Sequence, residues 1–111
     1  MTAERRARAE IADMQGLPRK SGELVFHADW ERRAFAIAVS LAEQGMFPWS
    51  DFQRRLIEAV AEAERDDPLH PSRGYYESWL VALERVLEDK GLASLARAAR
   101  AAVSPSPASQ A

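Results

Sequence analysis

The stretch YYESWLVALERVLEDKG, residues 75–91, carries the clearest indication of the fold in this chain of 111 residues. Its large apolar side chains recur every three or four residues, at Tyr76, Trp79, Leu80, Leu83, Val86 and Leu87. This period is typical of an α-helix with one buried face. We predict a helix over about 73–90, capped by Ser72 and ended by Gly91.

The same period continues on both sides of this stretch, with Gly- and Pro-containing loops between the segments. The further predicted helices cover about 3–13, 30–45, 49–64 and 92–103, and Asp29 is the expected cap of the one that starts at residue 30. No segment alternates apolar and polar residues over the length of a strand. The sequence therefore predicts an all-α fold, a small bundle of about four to five helices with essentially no sheet.

The chain divides into three predicted parts. Residues 1–16 form a polar N-terminal helix or arm, residues 17–103 a helical domain, and residues 104–111 (SPSPASQA) a low-complexity tail that we expect to be disordered. The short apolar stretch Leu24–Phe26 is expected to lay an extended segment on the core. The expected core consists of the large apolar residues at helical spacing, Trp30, Phe35, Leu41, Phe52, Leu56, Trp79, Leu80 and Leu83.

Composition argues against several classes of protein. The formal net charge is −2, whereas a nucleic-acid-binding domain usually presents a basic surface. No apolar run approaches the roughly 20 residues that cross a bilayer, and the N-terminus lacks the apolar core of a signal peptide. We therefore expect a cytoplasmic protein that binds neither nucleic acid nor membrane. The chain has no cysteine, which excludes disulfides and thiolate chemistry.

Residues suited to catalysis or metal binding are few. The two histidines, His27 and His70, lie 43 positions apart in different loops, and no motif links them. No glycine-rich phosphate loop is present. The carboxylate pair Glu58 and Glu62 has the spacing of one helical face, but we expect that face to be solvated. We expect this chain to bind no cofactor and not to be an enzyme by itself.

The aromatic residues are the most informative side chains. They cluster at the predicted helix starts, and most must be core in a domain of this size. Tyr75 and Tyr76 are adjacent, about 100° apart on a helix, so they cannot both face one stripe. Since Trp and Tyr are enriched at the energetic centres of interfaces, part of this set is expected to contact a partner.

Three blocks of residues resemble a known family. The first is Leu17-Pro18-Arg19 with Phe26, Trp30-Glu31 and Ala34-Phe35-Ala36; the second is LAEQGMF (41–47) with Trp49 and Phe52; the third is YYESWLVALE (75–84) ending in Lys90-Gly91. In this order they resemble nitrile hydratase accessory (activator) proteins, which are similar to the N-terminal helical region of the nitrile hydratase β subunit. The same family includes thiocyanate hydrolase relatives. The resemblance covers about residues 17–93.

The resemblance implies a partner and an interface. The implied partner is the nitrile hydratase α subunit, which holds a cobalt or iron ion in a cysteine cluster, so that this chain would carry no metal. The starts of the helices at residues 49 and 75 would face that subunit, which places Trp49, Gln53, Arg54, Tyr75 and Tyr76 at the interface.

The chain departs from the family pattern at two positions. Asp29 stands where family members often have Pro. Gln53, followed by Arg54 and Arg55, stands where the β subunit has an Arg that reaches the metal centre. The displaced arginine fits an accessory role better than a β-subunit role.

Three functions therefore remain open. The first is an accessory protein that binds the α subunit and assists the maturation of its metal centre, with cobalt the expected ion. The second is a small structural β-type subunit of a multi-subunit nitrile hydratase or thiocyanate hydrolase. The third is a generic helical adaptor with no link to these enzymes.

Overall fold

The computed structural model describes residues 19–20, 23–24 and 26–104. Four α-helices lie within these residues: α1 (Asp29–Glu43), α2 (Trp49–Glu64), α3 (Tyr75–Asp89) and α4 (Ala93–Val103). The prediction of an all-α fold is confirmed. The predicted helix at 3–13 lies outside the described residues, as does the predicted tail except Ser104. In the described part of the chain, no helix is long and apolar enough to span a bilayer.

A minimal antiparallel ribbon precedes the helices and was not predicted. It joins β1 (Arg19–Lys20) to β2 (Glu23–Leu24), with Arg19 opposite Leu24. Two residues per strand are too few to produce a recognisable alternation in sequence. Immediately after the ribbon, the ring of Phe26 packs on Phe35, with the ring centroids 5.6 Å apart.

Helix α3 is the centre of the bundle because its buried face is wide. It packs against α1, α2 and α4. Its buried residues include Trp79, Leu80, Ala82, Leu83, Val86 and Leu87. A buried face of this width has to be covered by several other elements, which explains the arrangement.

Helix α1 approaches α3 through small residues. Ala34, Ala38 and Ala42, each four positions apart, form its buried line after Trp30. Phe35 and Leu41, both expected in the core, are only half-buried and pack at its margin. The large apolar residues of α1 predicted a wider buried stripe than the structure has. The buried residues are mainly alanines, and their small side chains allow the backbones of α1 and α3 to approach closely. The other expected core residues, Phe52, Leu56, Trp79, Leu80 and Leu83, are buried.

Two helices end at the predicted glycines, but their N-caps differ from the predicted residues. Gly45 and Gly91 have φ values of 82° and 76°, in the left-handed region. Each closes its helix with paired hydrogen bonds of the Schellman type. The N-caps are Ala28 and Gly74, rather than the expected Asp29 and Ser72. At Gly74, the backbone N–H donates to Glu77 Oε1 at 3.3 Å, so a side chain one turn later replaces the missing cap.

Ion pairs join α2 to α3 along one side. Arg55 donates to Asp89 at 2.7 Å, Lys90 to Asp51 at 2.8 Å, and Arg85 to Glu62 at 2.8 and 2.9 Å. Glu62, expected on a solvated face, is half-buried in this contact. The periodicity of one helix cannot show which charged residue of another helix will lie opposite.

Candidate functional site

The buried indole of Trp79 organises an aromatic cluster at the centre of the domain. Trp79 lies in the second turn of α3, and its Nε1 donates to the carbonyl oxygen of Ala34 in α1 at 3.0 Å. The bond satisfies the only polar atom of the indole inside the core and fixes the orientation of its ring. α1 and α3 are thereby joined at one point.

Aromatic rings from three helices, α1, α2 and α3 itself, surround Trp79. Its centroid lies 5.2 Å from Phe35, 4.8 Å from Phe52, 5.8 Å from Trp49, 6.2 Å from Tyr75 and 6.0 Å from Tyr76. These distances are within the range of favourable aromatic pairs. The cluster therefore brings together the starts of α2 and α3, where the family resemblance implies the partner interface.

The five residues expected at the partner interface differ in their exposure. Trp49 and Tyr76 are buried, with 2% and 3% of their surface exposed. Tyr75 and Gln53 are half-buried, and Arg54 is exposed. Trp49 and Tyr76 thus face inward rather than outward.

The inward orientation of Trp49 and Tyr76 has a signal in the sequence. Trp49 is three and seven positions before Phe52 and Leu56, so the helical period already places it on the buried stripe. Tyr76 likewise belongs to the apolar stripe of α3. The surface of this region therefore comes from Tyr75, Gln53 and Arg54.

Two hydrogen-bond donors of the cluster are buried without a partner in the described structure. They are Nε1 of Trp49 and the hydroxyl of Tyr75. Burial, with a smaller contribution from Tyr76, raises the pKa of the Tyr75 hydroxyl, which therefore stays protonated and able to donate. A buried polar group that lacks a partner costs about 1–3 kcal/mol, so an acceptor brought to either atom would be favourable.

The arginines next to Gln53 are not equivalent. Arg55 donates to both Asp89 and Glu58, at 2.7 and 3.0 Å, and so is held within the chain. Arg54 is exposed on the preceding position of α2. Of the two, Arg54 is therefore the one that can reach a partner.

One exposed apolar residue on α2 was missed by the sequence analysis. Ile57 is 70% exposed and lies four positions after Gln53, on the same face of the helix. The sequence could have indicated this exposure, because Ile57 lies outside the apolar stripe formed by Phe52, Leu56, Val60 and Ala63. Gln53, Arg54 and Ile57 form a surface that we call the α2 face.

The described residues contain no group of three or more His, Cys, Asp or Glu side chains placed to hold a metal ion. His27 is exposed, and Nδ1 of His70 lies 2.7 Å from Asp67 in the loop between α2 and α3. Two carboxylate or imidazole ligands are too few for a tight site.

Comparison with known proteins identifies the family. Residues 9–110 match the family described as nitrile hydratase beta subunit, N-terminal. The chain belongs to this family. The expected similarity to the N-terminal region of the β subunit is thereby confirmed. No solved structure was found to match.

A curated relative agrees with this assignment. Nitrile hydratase subunit beta of Pseudomonas putida is 32% identical over 75 residues, which amount to 67% of this chain and 31% of that protein. The alignment therefore spans less than a third of the relative's length. In this β-subunit N-terminal domain, the three blocks that carry the resemblance meet around Trp79, since Phe35, Phe52 and Tyr75 come one from each block.

Proposed function

We propose that this chain acts as a β-type domain that binds the α subunit of a nitrile hydratase. This proposal rests on the family match over residues 9–110, which includes every helix described above. The curated relative is itself a β subunit, and this favours a β-type role over an unrelated helical adaptor.

In this proposal the α2 face and Tyr75 contact the α subunit. Ile57 offers an exposed apolar side chain, flanked on the same helix by the amide of Gln53 and the charge of Arg54. An apolar centre with a polar edge is the usual anatomy of a protein interface. The half-buried ring of Tyr75 adds an aromatic residue of the kind that often dominates binding energy.

The unpaired hydroxyl of Tyr75 suggests how the partner is recognised. This donor is buried without an acceptor among the described residues. A carbonyl or carboxylate oxygen of the α subunit that reached it would remove the cost of the unpaired group, and binding would gain that difference.

We assign the metal of the proposed complex to the α subunit. This chain has no cysteine, and its described residues offer no ligand cluster. A cobalt or iron ion would therefore be held by the partner, and this chain would shape its surroundings. Arg54 is the arginine we expect to approach the partner, because Arg55 is already bound to Asp89 and Glu58.

A second candidate is an accessory protein that binds the α subunit only while its metal is loaded. Gln53 favours this alternative because the resemblance places an arginine of the working β subunit at that position. An amide cannot supply the positive charge of a guanidinium. The two candidates share the partner and differ in whether the chain remains in the finished enzyme.

Purification of the enzyme through a tag on the α subunit separates these candidates. A tagged nitrile hydratase α subunit would be co-expressed with this chain and the other subunits of that enzyme, and active enzyme would be isolated. A β-type domain is expected at one copy per α subunit in the active fraction, by quantitative mass spectrometry. Its presence on metal-free α subunit alone would instead indicate the accessory role. If the chain were absent from the active enzyme and from the metal-free α subunit, both candidate functions would be contradicted.

A further inference from the structure

A small cavity lies where the start of α1 and the end of α4 approach the first half of α3. It has a volume of about 80 Å³ and is lined by Trp30, Arg73, Glu77, Leu80, Val81 and Arg100. These residues come from the start of α1, the beginning of α3 and the end of α4. The cavity therefore opens where three helices meet, and no residue of the α2 face contributes to it.

The wall of this cavity combines three apolar residues, two arginines and one carboxylate, that of Glu77. Trp30 and Leu80 are buried, and with Val81 they form the apolar part. Arg73 and Arg100 contribute two guanidinium groups. Such a combination suits a guest with a short hydrocarbon portion and one negative charge.

One buried N–H donor of Arg73 has no acceptor among the described residues. Its Nη2 donates to the carbonyl oxygen of Ala59 at 2.7 Å and lies 3.4 Å from Glu62 Oε1. Its Nε is buried with no hydrogen-bond partner in the described structure. An arginine normally satisfies its buried N–H groups, so this atom lacks an acceptor.

The carboxylates near the cavity are already engaged. Glu77 Oε1 accepts from the backbone N–H of Gly74 at 3.3 Å. Glu84 Oε1 accepts from Arg100 Nε at 2.7 Å. Neither is bonded to Arg73, and among the described residues no other acceptor meets its Nε.

We propose that this cavity binds a carboxylate group on a short aliphatic stem. A guanidinium presents its N–H donors in a planar fork that matches a carboxylate, and such charge-assisted bonds are stronger than neutral ones. The cavity is far smaller than the roughly 300–1,000 Å³ of a pocket for a drug-sized ligand, so it admits only a small guest. The apolar wall disfavours a doubly charged, fully polar anion such as phosphate.

Two kinds of ligand carry a carboxylate on a short aliphatic stem. One is a free short-chain carboxylate, and the other is a Glu side chain of another protein. The site is distinct from the α2 face, so this proposal does not depend on binding of the α subunit.

Nuclear magnetic resonance of the full-length chain tests the site. The arginine Nε–Hε signals of ¹⁵N-labelled protein would be followed during titration with sodium propionate, with N-acetyl-glutamate N-methylamide, and with sodium chloride at equal ionic strength. We expect the Arg73 signal to shift and saturate with a carboxylate but not with chloride. Saturation by both carboxylates indicates that a free acid suffices, and saturation by the capped glutamate alone indicates a protein side chain.

Three variants control this titration. Arg100→Gln is expected to weaken carboxylate binding about tenfold, the effect of one lost charge-assisted contact, with Arg73→Gln as a second test should it remain folded. Arg54→Gln, an exposed arginine on the α2 face, should bind as the unmodified chain does. Equal shifts with chloride, or equal weakening by Arg54→Gln and Arg100→Gln, would overturn the proposal.

Discussion

The indole Nε1 of Trp79 in α3 donates a hydrogen bond of 3.0 Å to the main-chain carbonyl of Ala34 in α1. Both residues have 0% of their surface exposed, so the bond lies wholly inside the core. Ala34 has no side chain beyond Cβ, and this lets the large indole approach the backbone of α1. The aromatic cluster and the alanine line of α1 therefore depend on each other.

Removing Trp79 is expected to destabilise the domain severely. Trp79→Ala deletes a ring that contacts five other aromatic residues, and should lower the free energy of unfolding by about 3–5 kcal/mol. Trp79→Phe should cost less, because it keeps part of the ring packing and loses the bond to Ala34. Urea unfolding followed by circular dichroism measures both. A loss for Trp79→Ala no larger than that for Trp79→Phe would show that packing around the ring is unimportant.

Tyr75→Phe is expected to raise the stability of the isolated chain and to weaken its binding to the α subunit. The change removes a buried hydroxyl that has no partner among the described residues, so the isolated chain should gain about 1 kcal/mol of stability or more. If the α subunit supplies an acceptor to this hydroxyl, the same change should weaken its binding about fivefold, or about 1 kcal/mol. Thermal unfolding and binding measurements on one preparation give both values. Unchanged α binding would mean that the hydroxyl does not contact the partner.

Glu62 should make the stability depend on pH in a defined window. The hydrogen bonds from Arg85, and a weaker one from Arg73, lower the pKa of Glu62 to about 2 from its ordinary 4.5. Because the folded-state pKa is lowered, its contribution is fully present above about pH 4.5 and is lost as the pH falls towards about 2.

The test of this pH dependence compares three proteins. Glu62→Gln should lower the urea midpoint at pH 7, and its difference from the unmodified chain should shrink below pH 4.5 and vanish near pH 2. Glu64→Gln, at an exposed position two residues later, is the matched control and should show almost no difference at any pH. A difference for Glu62→Gln that stays constant down to pH 2 would contradict the role given to the ion pair.

The sequence predicted the helices well and the contacts between them only in part. The predicted segment at 49–64 has the observed bounds, because Pro48 and the Asp66–Ser72 loop mark both ends. Local periodicity also identified the stripe that buries Trp79. It could not show that Arg55 meets Asp89, since that pairing depends on how α2 crosses α3. The spacing of Trp49 from Phe52 predicts that Trp49 is buried. The family resemblance implied instead a position at the interface.

The central claim, that the α2 face binds a nitrile hydratase α subunit, is tested most directly by equilibrium binding. Purified α subunit would be titrated with the unmodified chain, with Ile57→Lys and with Leu69→Lys. Leu69 is 85% exposed in the loop between α2 and α3, so it controls for the loss of an exposed apolar residue away from the face. We predict a complex of one chain per α subunit, weakened at least about tenfold by Ile57→Lys and unchanged by Leu69→Lys. No binding by the unmodified chain, or equal effects of the two variants, would contradict the claim.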